Sequence, residues 1–264
     1  MRIFKTLCLV FSLLYSLMAY SQSVLQILPT RVVFEGNQRS VDVFLKNRGD
    51  NDGEYRVSLR NQRMTTEGKF EVIEKGQGRA DELFADKMIR YSPRRVTISK
   101  DINQEPQTVR LALRKKRDLP EGEYRSHLLF TSIPNIDKAT EQSSGMSFYA
   151  TVEISIPIII RHGDLHATVS LTDAKLTSNA KGENILSFRL NRSGTRSIYG
   201  DIVISQNAQR IAYMNGMAVY TPTQYRVIEI PVALIGQPSK SPITIQFKEN
   251  PTYGGEEEAQ LVLK

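Results

Sequence analysis

Hydrophobic and polar residues alternate with a period of two along most of this chain. The longest case is Met146 to Arg161, MSFYATVEISIPIIIR, where Met146, Phe148, Ala150, Val152, Ile154, Ile156, Ile158 and Ile160 share one parity. Ser147, Tyr149, Thr151, Glu153 and Ser155 hold the other parity as far as Pro157. An extended backbone sends successive side chains to opposite faces, so the pattern predicts one long strand with a wholly apolar face. The strand exceeds the usual length of about 5 to 6 residues, and the preceding Asn135 to Gly145 has the Ser, Lys, Glu and Gln content of a loop. Its first half is therefore expected to project beyond the domain that anchors its second half. Proteins ordinarily suppress an apolar open edge with charge, proline or cover. One that is kept points to a partner that adds a strand, with backbone hydrogen bonds and alternate side chains making the joint. Each large side chain fully buried there contributes about 1.5 to 3 kcal/mol.

The same period recurs in shorter runs: Gln26 to Phe34, Ser40 to Asn47, Glu54 to Arg60, Arg94 to Ile98, Thr108 to Leu113 and Tyr124 to Phe130. Turn residues at Asn47 to Gly53, Glu67-Gly68 and Pro120 to Gly122 punctuate them. Together with the long strand they predict an antiparallel sandwich of immunoglobulin type. One short helical turn is expected within Arg79 to Ile89. The pattern breaks at Arg161-His162-Gly163-Asp164 and restarts as Ala167 to Thr177, Ile185 to Asn191, Ile198 to Gln206, Ile211 to Thr221, Tyr225 to Val232, Ile243 to Phe247 and Gln260 to Leu263. The expected fold is thus all-β, with two immunoglobulin-like sandwiches over residues 22–162 and 163–264.

The first residues change the setting. Arg2 and Lys5 precede an apolar run from Leu7 to Met18 that is too short to span a bilayer comfortably, and Ala19-Tyr20-Ser21 makes a small-x-small cleavage site. Residues 1–21 are expected to be an export signal, so the mature protein is expected to be exported. Cys8 is the single cysteine and leaves with that signal, so the mature chain has no disulfide and no thiol. Net charge is +7 for the whole chain. Without Arg2 and Lys5, 33 basic residues face 28 acidic ones, a mild excess. Arg114-Lys115-Lys116-Arg117 runs into a turn and reads as a solvated strand end, so no nucleic-acid partner is expected. No other apolar run is long enough for stable membrane insertion.

Candidate chemistry is sparse. His127, His162 and His166 are the three histidines; the last two sit at the break between domains, with no third residue at metal-ligand spacing. The sequence carries no nucleophile elbow, phosphate-binding glycine loop or zinc-protease helix. Neither catalytic residues nor a metal or other cofactor are expected, and the chain does not read as an enzyme.

Several stretches resemble one family in order. Thr30-Arg31-Val32-Val33-Phe34-Glu35-Gly36, Tyr91-Ser92-Pro93 followed by Gln107-Thr108-Val109-Arg110-Leu111, Leu119-Pro120-Glu121-Gly122-Glu123-Tyr124-Arg125-Ser126 with Ile133-Pro134, and Asn250-Pro251-Thr252-Tyr253-Gly254-Gly255 are similar to motifs of the periplasmic pilus chaperones of the chaperone–usher pathway, the PapD-like family. The resemblance spans nearly all of the mature chain. It implies a boomerang of two immunoglobulin-like domains that lends its long strand to fimbrial (pilin) subunits lacking their last strand, a donor-strand complementation, and delivers them to an outer-membrane usher. The groove-filling residues would be Met146, Phe148, Ala150 and Val152, with Ile154 as a fifth, while Ile156, Ile158 and Ile160 stay in the protein's own core. An open edge of this kind would also allow self-association of the free protein.

The resemblance further implies that a subunit's terminal carboxylate is anchored by an arginine matching Arg31 and by a lysine on the long strand. That lysine position is Pro157 here, so Arg31 acts alone or with Arg94, Arg95 or Arg125. A family ion network joining the domains matches Glu123 and Arg161, but its third, acidic place holds Thr252, with Glu249 close in sequence. The rival reading is an exported structural or adhesive protein of two immunoglobulin-like domains whose long strand is covered by its own sheet.

Overall fold

The computed structural model describes residues 24–101, 103–134, 150–234 and 241–263. The expected signal segment with Cys8, and Met146 and Phe148 of the long strand, lie outside these residues.

Nine of the first eleven strands form two facing sheets. One sheet carries β1 (Leu25–Leu28), β3 (Ser40–Asn47), β9 (Gln107–Leu113) and β7 (Ile89–Ser92), in that order. The other runs β2 (Val32–Phe34), β11 (Glu153–His162), β10 (Gly122–Ser132), β4 (Gly53–Arg60) and β8 (Arg95–Ile98). Alternate residues of both sheets, among them Phe34, Leu45, Leu111, Leu128, Phe130, Ile158 and Ile160, close into one apolar core. The Tyr124 hydroxyl donates to the Pro120 carbonyl at 2.8 Å, the tyrosine corner of an immunoglobulin-type sandwich. A small hairpin, β5 (Gln62–Met64) and β6 (Phe70–Val72), projects from the end of β4.

Strands β12 (Ala167–Ser178), β13 (Asn184–Gly194) and β16 (Tyr225–Pro231) make one sheet of the second sandwich. Strands β15 (Gln209–Val219), β14 (Ile198–Gln206), β17 (Ile243–Glu249) and β18 (Glu258–Leu263) make the other. Leu186, Phe188, Leu190, Ile202, Ile204, Ile245 and Phe247 lie in their common core. The all-β class and the two immunoglobulin-like sandwiches expected from the alternation are what the chain forms.

Three local expectations are corrected. The run from Gln26 to Phe34 is two strands in different sheets, β1 pairing with β3 and β2 with β11. Pro29 sits between them, and proline removes a ladder donor, so the chain leaves one sheet and joins the other there. Between Arg79 and Ile89 there is no helix, only the turns Glu82 N–H to Arg79 O and Met88 N–H to Ala85 O, with β7 beginning at Ile89. Of the long strand expected from Met146 to Arg161, the described part forms a strand from Glu153 onward, with Ala150 to Val152 preceding β11. Its partner β10 ends at Ser132, whose amide donates to the Val152 carbonyl, while the next amide, Ile133, faces β4 and donates to the Glu54 carbonyl.

Candidate functional site

Strand β11 is paired unequally on its two sides. Along one side β10 runs antiparallel to it from Thr131 opposite Glu153 to Gly122 opposite His162. On the other side β2 runs parallel and pairs with Ile158 to Ile160 alone. Among the described residues, Glu153 to Pro157 therefore have no neighbouring strand on the outer side. Pro157 stands where the β2 ladder stops, a position where its missing N–H leaves no gap in a ladder.

The apolar row passes from open to covered along this edge. Ala150 is exposed, and Val152 is 44% exposed. The chain at Val152 is held beside the end of β10, since Ser132 N–H donates to Val152 O and Val152 N–H donates to Ser132 Oγ, both at 2.8 Å. Ile154 is half-buried and leans on the first core, so a partner would meet it only in part. Ile156, Ile158 and Ile160 are inside that core. Glu153 is pinned to the sheet by a bidentate pair with Arg60, at 2.5 and 3.0 Å, and by the Thr131 hydroxyl.

At the lower end of the open edge the two sandwiches meet around a group of cations. Arg31 immediately precedes β2 and is 5% exposed. Its Nη2 donates to the Tyr220 hydroxyl at 2.6 Å, and its guanidinium lies 3.8 Å from the centre of the Tyr199 ring. Tyr253 stands 5.7 Å away, so three tyrosines of the second sandwich surround an arginine of the first. Arg125 of β10, 7% exposed, sits 4.4 Å from the Tyr220 ring centre. His127 is buried two residues further along β10, with the edge of Phe70 against it.

Among the described residues these basic groups are only partly hydrogen-bonded. Arg31 Nε, Arg125 Nε and Nη1, both ring nitrogens of His127 and Arg226 Nε are buried without a hydrogen-bond partner. Burial lowers the Arg125 pKa, with the neighbouring Arg31 charge acting the same way. Burial, reinforced by the charges of Arg125 and Arg31, holds the His127 imidazole down at about 3. A buried unpaired charge is costly, and an anion bringing acceptors would relieve that cost. Arg94 and Arg95 lie elsewhere, next to and on β8 at the far edge of the sheet. Arg94 rests on Tyr91 and Arg95 pairs with Glu54 at 3.2 Å.

A second network crosses between the sandwiches. Glu123 is buried, and its Oε2 accepts from Arg161 Nε at 3.2 Å. Its Oε1 accepts from the Ser197 amide at 3.0 Å and from the Ser197 hydroxyl. Arg161 Nη1 donates to the Tyr253 carbonyl at 2.7 Å and lies 3.6 Å from Glu35. Thr252 does not take the acidic place; its amide caps on Asn250. Glu249 reaches Arg196 in a bidentate pair at 2.7 and 2.8 Å. Gly254, at φ +73°, leaves room for the joint: a Cβ there would stand 2.8 Å from Arg161 Nη1 and 2.9 Å from Glu35 Oε2.

Ser197, Arg196, Glu35 and the hairpin β5–β6 are partners that sequence reasoning missed. The hairpin makes its own joint, with Val227 N–H donating to Thr66 O at 2.7 Å and Thr223 Oγ1 to Met64 O at 2.8 Å. Met64, Ile159, Ala218 and Tyr220 pack together beneath it. The Gly254-Gly255 pair was the one local signal that something passes close by.

Among the described residues, no helix is long and apolar enough to cross a membrane. No family model matches the chain, and no curated protein does. Several solved structures are similar to it in fold. The YadV chaperone is 15% identical, with a TM-score of 0.49 over 90% of this chain and 99% of that one. The Escherichia coli chaperone DraB is 12% identical, with a TM-score of 0.48 over 92% and 97%. A third is the CsuC–CsuE chaperone–tip adhesion subunit pre-assembly complex from the archaic chaperone–usher Csu pili of Acinetobacter baumannii, 14% identical, with a TM-score of 0.47 over 90% and 97%.

Proposed function

We propose that this protein is a periplasmic assembly chaperone, not an enzyme, that binds fimbrial subunits by temporary strand donation and passes them to an outer-membrane usher. In this reading residues 1–21 direct export, 22–162 form the donating domain and 163–264 the second domain. Met146, Phe148, Ala150 and Val152, with part of Ile154, fill the subunit's groove.

The observation that carries the reading is the open edge of β11 from Glu153 to Pro157, in line with Arg31. A strand added along this edge occupies the track that β2 continues, and it must stop where β2 begins, beside Arg31. If the added strand runs parallel to β11, the end that arrives there is its terminal carboxylate, and guanidinium groups bind carboxylates with both oxygens. The opposite direction would bring an ammonium group against buried arginines, which Coulomb repulsion disfavours. A structural or adhesive module gives no role to the open edge or to the exposed Val152.

The direct test is co-purification. A fimbrial subunit expressed with the wild-type protein is recovered in a soluble complex, and Val152→Asp, at an exposed position, loses it while folding normally. Undiminished recovery by a folded Val152→Asp protein would remove Val152 from the mechanism.

A further inference from the structure

The sheet β1–β3–β9–β7 turns alternate residues, among them Ile27, Leu45, Leu111 and Ile89, into the first core, so the residues between them form an outer face. Lys46 of β3, Arg90 of β7 and Arg110 of β9 lie on that face. Arg48 joins them from just past β3, its Nε donating to Gln26 Oε1 of β1 at 2.7 Å. Arg114 shares the parity of Arg110, and its N–H donates to the Met88 carbonyl, which extends the ladder between β9 and β7 by one step.

The face carries one sign of free charge. Asp42 is the single acidic residue of these four strands, and Arg110 takes it in a bidentate pair at 2.8 Å. Among the described residues, Lys46, Arg48, Arg90 and Arg114 are in no ion pair. Between these cations stands Phe44, 46% exposed, directly across from Leu28 of β1 on one side and Thr108 of β9 on the other. Leu28 is exposed as well, so an aromatic and an aliphatic side chain meet on the open surface.

Apolar side chains beside unpaired cations are the composition by which amphipathic helices lie on membranes: the first enter the interface and the second meet anionic headgroups. A second copy of the chain does not suit this face, because a two-fold contact sets each cation against the same group of cations.

We propose that the outer face of the β1–β3–β9–β7 sheet docks on an anionic phospholipid surface, with Lys46, Arg48, Arg90 and Arg114 at the phosphates and Phe44 with Leu28 in the headgroup layer. The attachment is peripheral and reversible. Strand β11 belongs to the facing sheet, about 10 Å further from the bilayer, so docking leaves its edge open. That the docked protein then meets fimbrial subunits at the membrane rests on the strand-donation reading; the docking itself does not.

The test is sedimentation of the full-length mature protein with vesicles of mixed phosphatidylcholine and phosphatidylglycerol, and with vesicles of phosphatidylcholine alone. Binding is expected to the mixed vesicles only and to weaken as sodium chloride is raised. Arg90→Gln with Arg114→Gln is expected to weaken it about 25-fold, at about fivefold for each charge, and Phe44→Ala about fivefold. Lys175→Gln with Lys181→Gln makes the same change of charge on the second sandwich and is expected to leave binding unchanged. No binding to the mixed vesicles, equal binding to phosphatidylcholine, or an equal loss in the Lys175 and Lys181 variant overturns the proposal. Binding to polyglutamate with none to vesicles also overturns it and assigns the face to an acidic protein. Subunit co-purification is read separately: vesicle binding by a protein that captures no subunit keeps the docking and sinks strand donation, and capture without vesicle binding does the reverse.

Discussion

Glu123 of the first sandwich and Ser197 of the second are bound directly, the Ser197 amide donating to Glu123 Oε1 at 3.0 Å while Arg161 holds the other carboxylate oxygen. The Ser197 hydroxyl also donates to Glu123 and in turn accepts from the Thr221 amide at 2.9 Å. A buried carboxylate thus joins the end of β11 to the start of β14. Removing one member of such a pair leaves a buried charge uncompensated, at a cost of about 3–5 kcal/mol. Glu123→Ala is expected to lower stability by about that much in urea unfolding, and Glu123→Gln, which keeps an acceptor for Ser197, by less.

Gly254 is where the second sandwich approaches this joint. Its φ of +73° disfavours a side chain, and an added Cβ would crowd Arg161 Nη1 and Glu35 Oε2. Gly254→Ala is expected to destabilise the protein by about 1–2 kcal/mol, visible as a lower urea midpoint. Gly36→Ala is the comparison: it has a similar positive φ, but nothing lies within 4 Å of its Cβ, so it reports backbone strain without the clash.

The row on β11 should divide by function at Ile154. Ile158 is fully buried, so Ile158→Ala is expected to cost about 2–5 kcal/mol of stability through a cavity in the first core. Val152→Ala, at a 44% exposed position, should change stability by no more than about 0.5 kcal/mol. Subunit recovery should respond in the opposite order once expression is matched.

His127 gives the protein a pH dependence of known sign. Its imidazole titrates near 6.5 in the unfolded chain and at about 3 when folded. Between those values the unfolded chain binds the extra proton, so stability falls as pH drops from 6.5 toward 3. The contribution is fully present above pH 6.5. The slope from this one group is at most about 1.4 kcal/mol per pH unit. His127→Phe should flatten the wild-type dependence across that window in urea unfolding at successive pH values. An unchanged slope would contradict the burial of a neutral imidazole there.

How far the sequence could be read follows from what each feature depends on. Alternation is a local property, so the strands around Leu45, Leu111, Ile158 and Phe247 were legible residue by residue. The matching of Glu123 with Arg161 came from the resemblance, and the two are in contact at 3.2 Å. That β11 starts at Glu153 was not legible, because it depends on how far β10 runs beside it, to Ser132. Nor was the hairpin β5–β6: three-residue strands carry too few alternations to register, and Phe70 is 41% exposed in spite of its role beside His127. That Arg125, rather than Arg94 or Arg95, lies with Arg31 beside Tyr220 required knowing which face of β10 meets that ring. Parity alone does not tell one face of a sheet from the other once a polar group is buried.

Hydrogen exchange along β11 tests the central claim most directly. In the free protein the amides from Val152 to Ile156 that point away from β10 should exchange quickly, while those of Ile158 to Ile160 are protected by β2 and the core. On binding a fimbrial subunit, the outward amides of the first group should slow by about tenfold or more, with little change in the second group. Subunit binding that leaves Val152 to Ile156 exchanging as before would contradict strand addition at this edge.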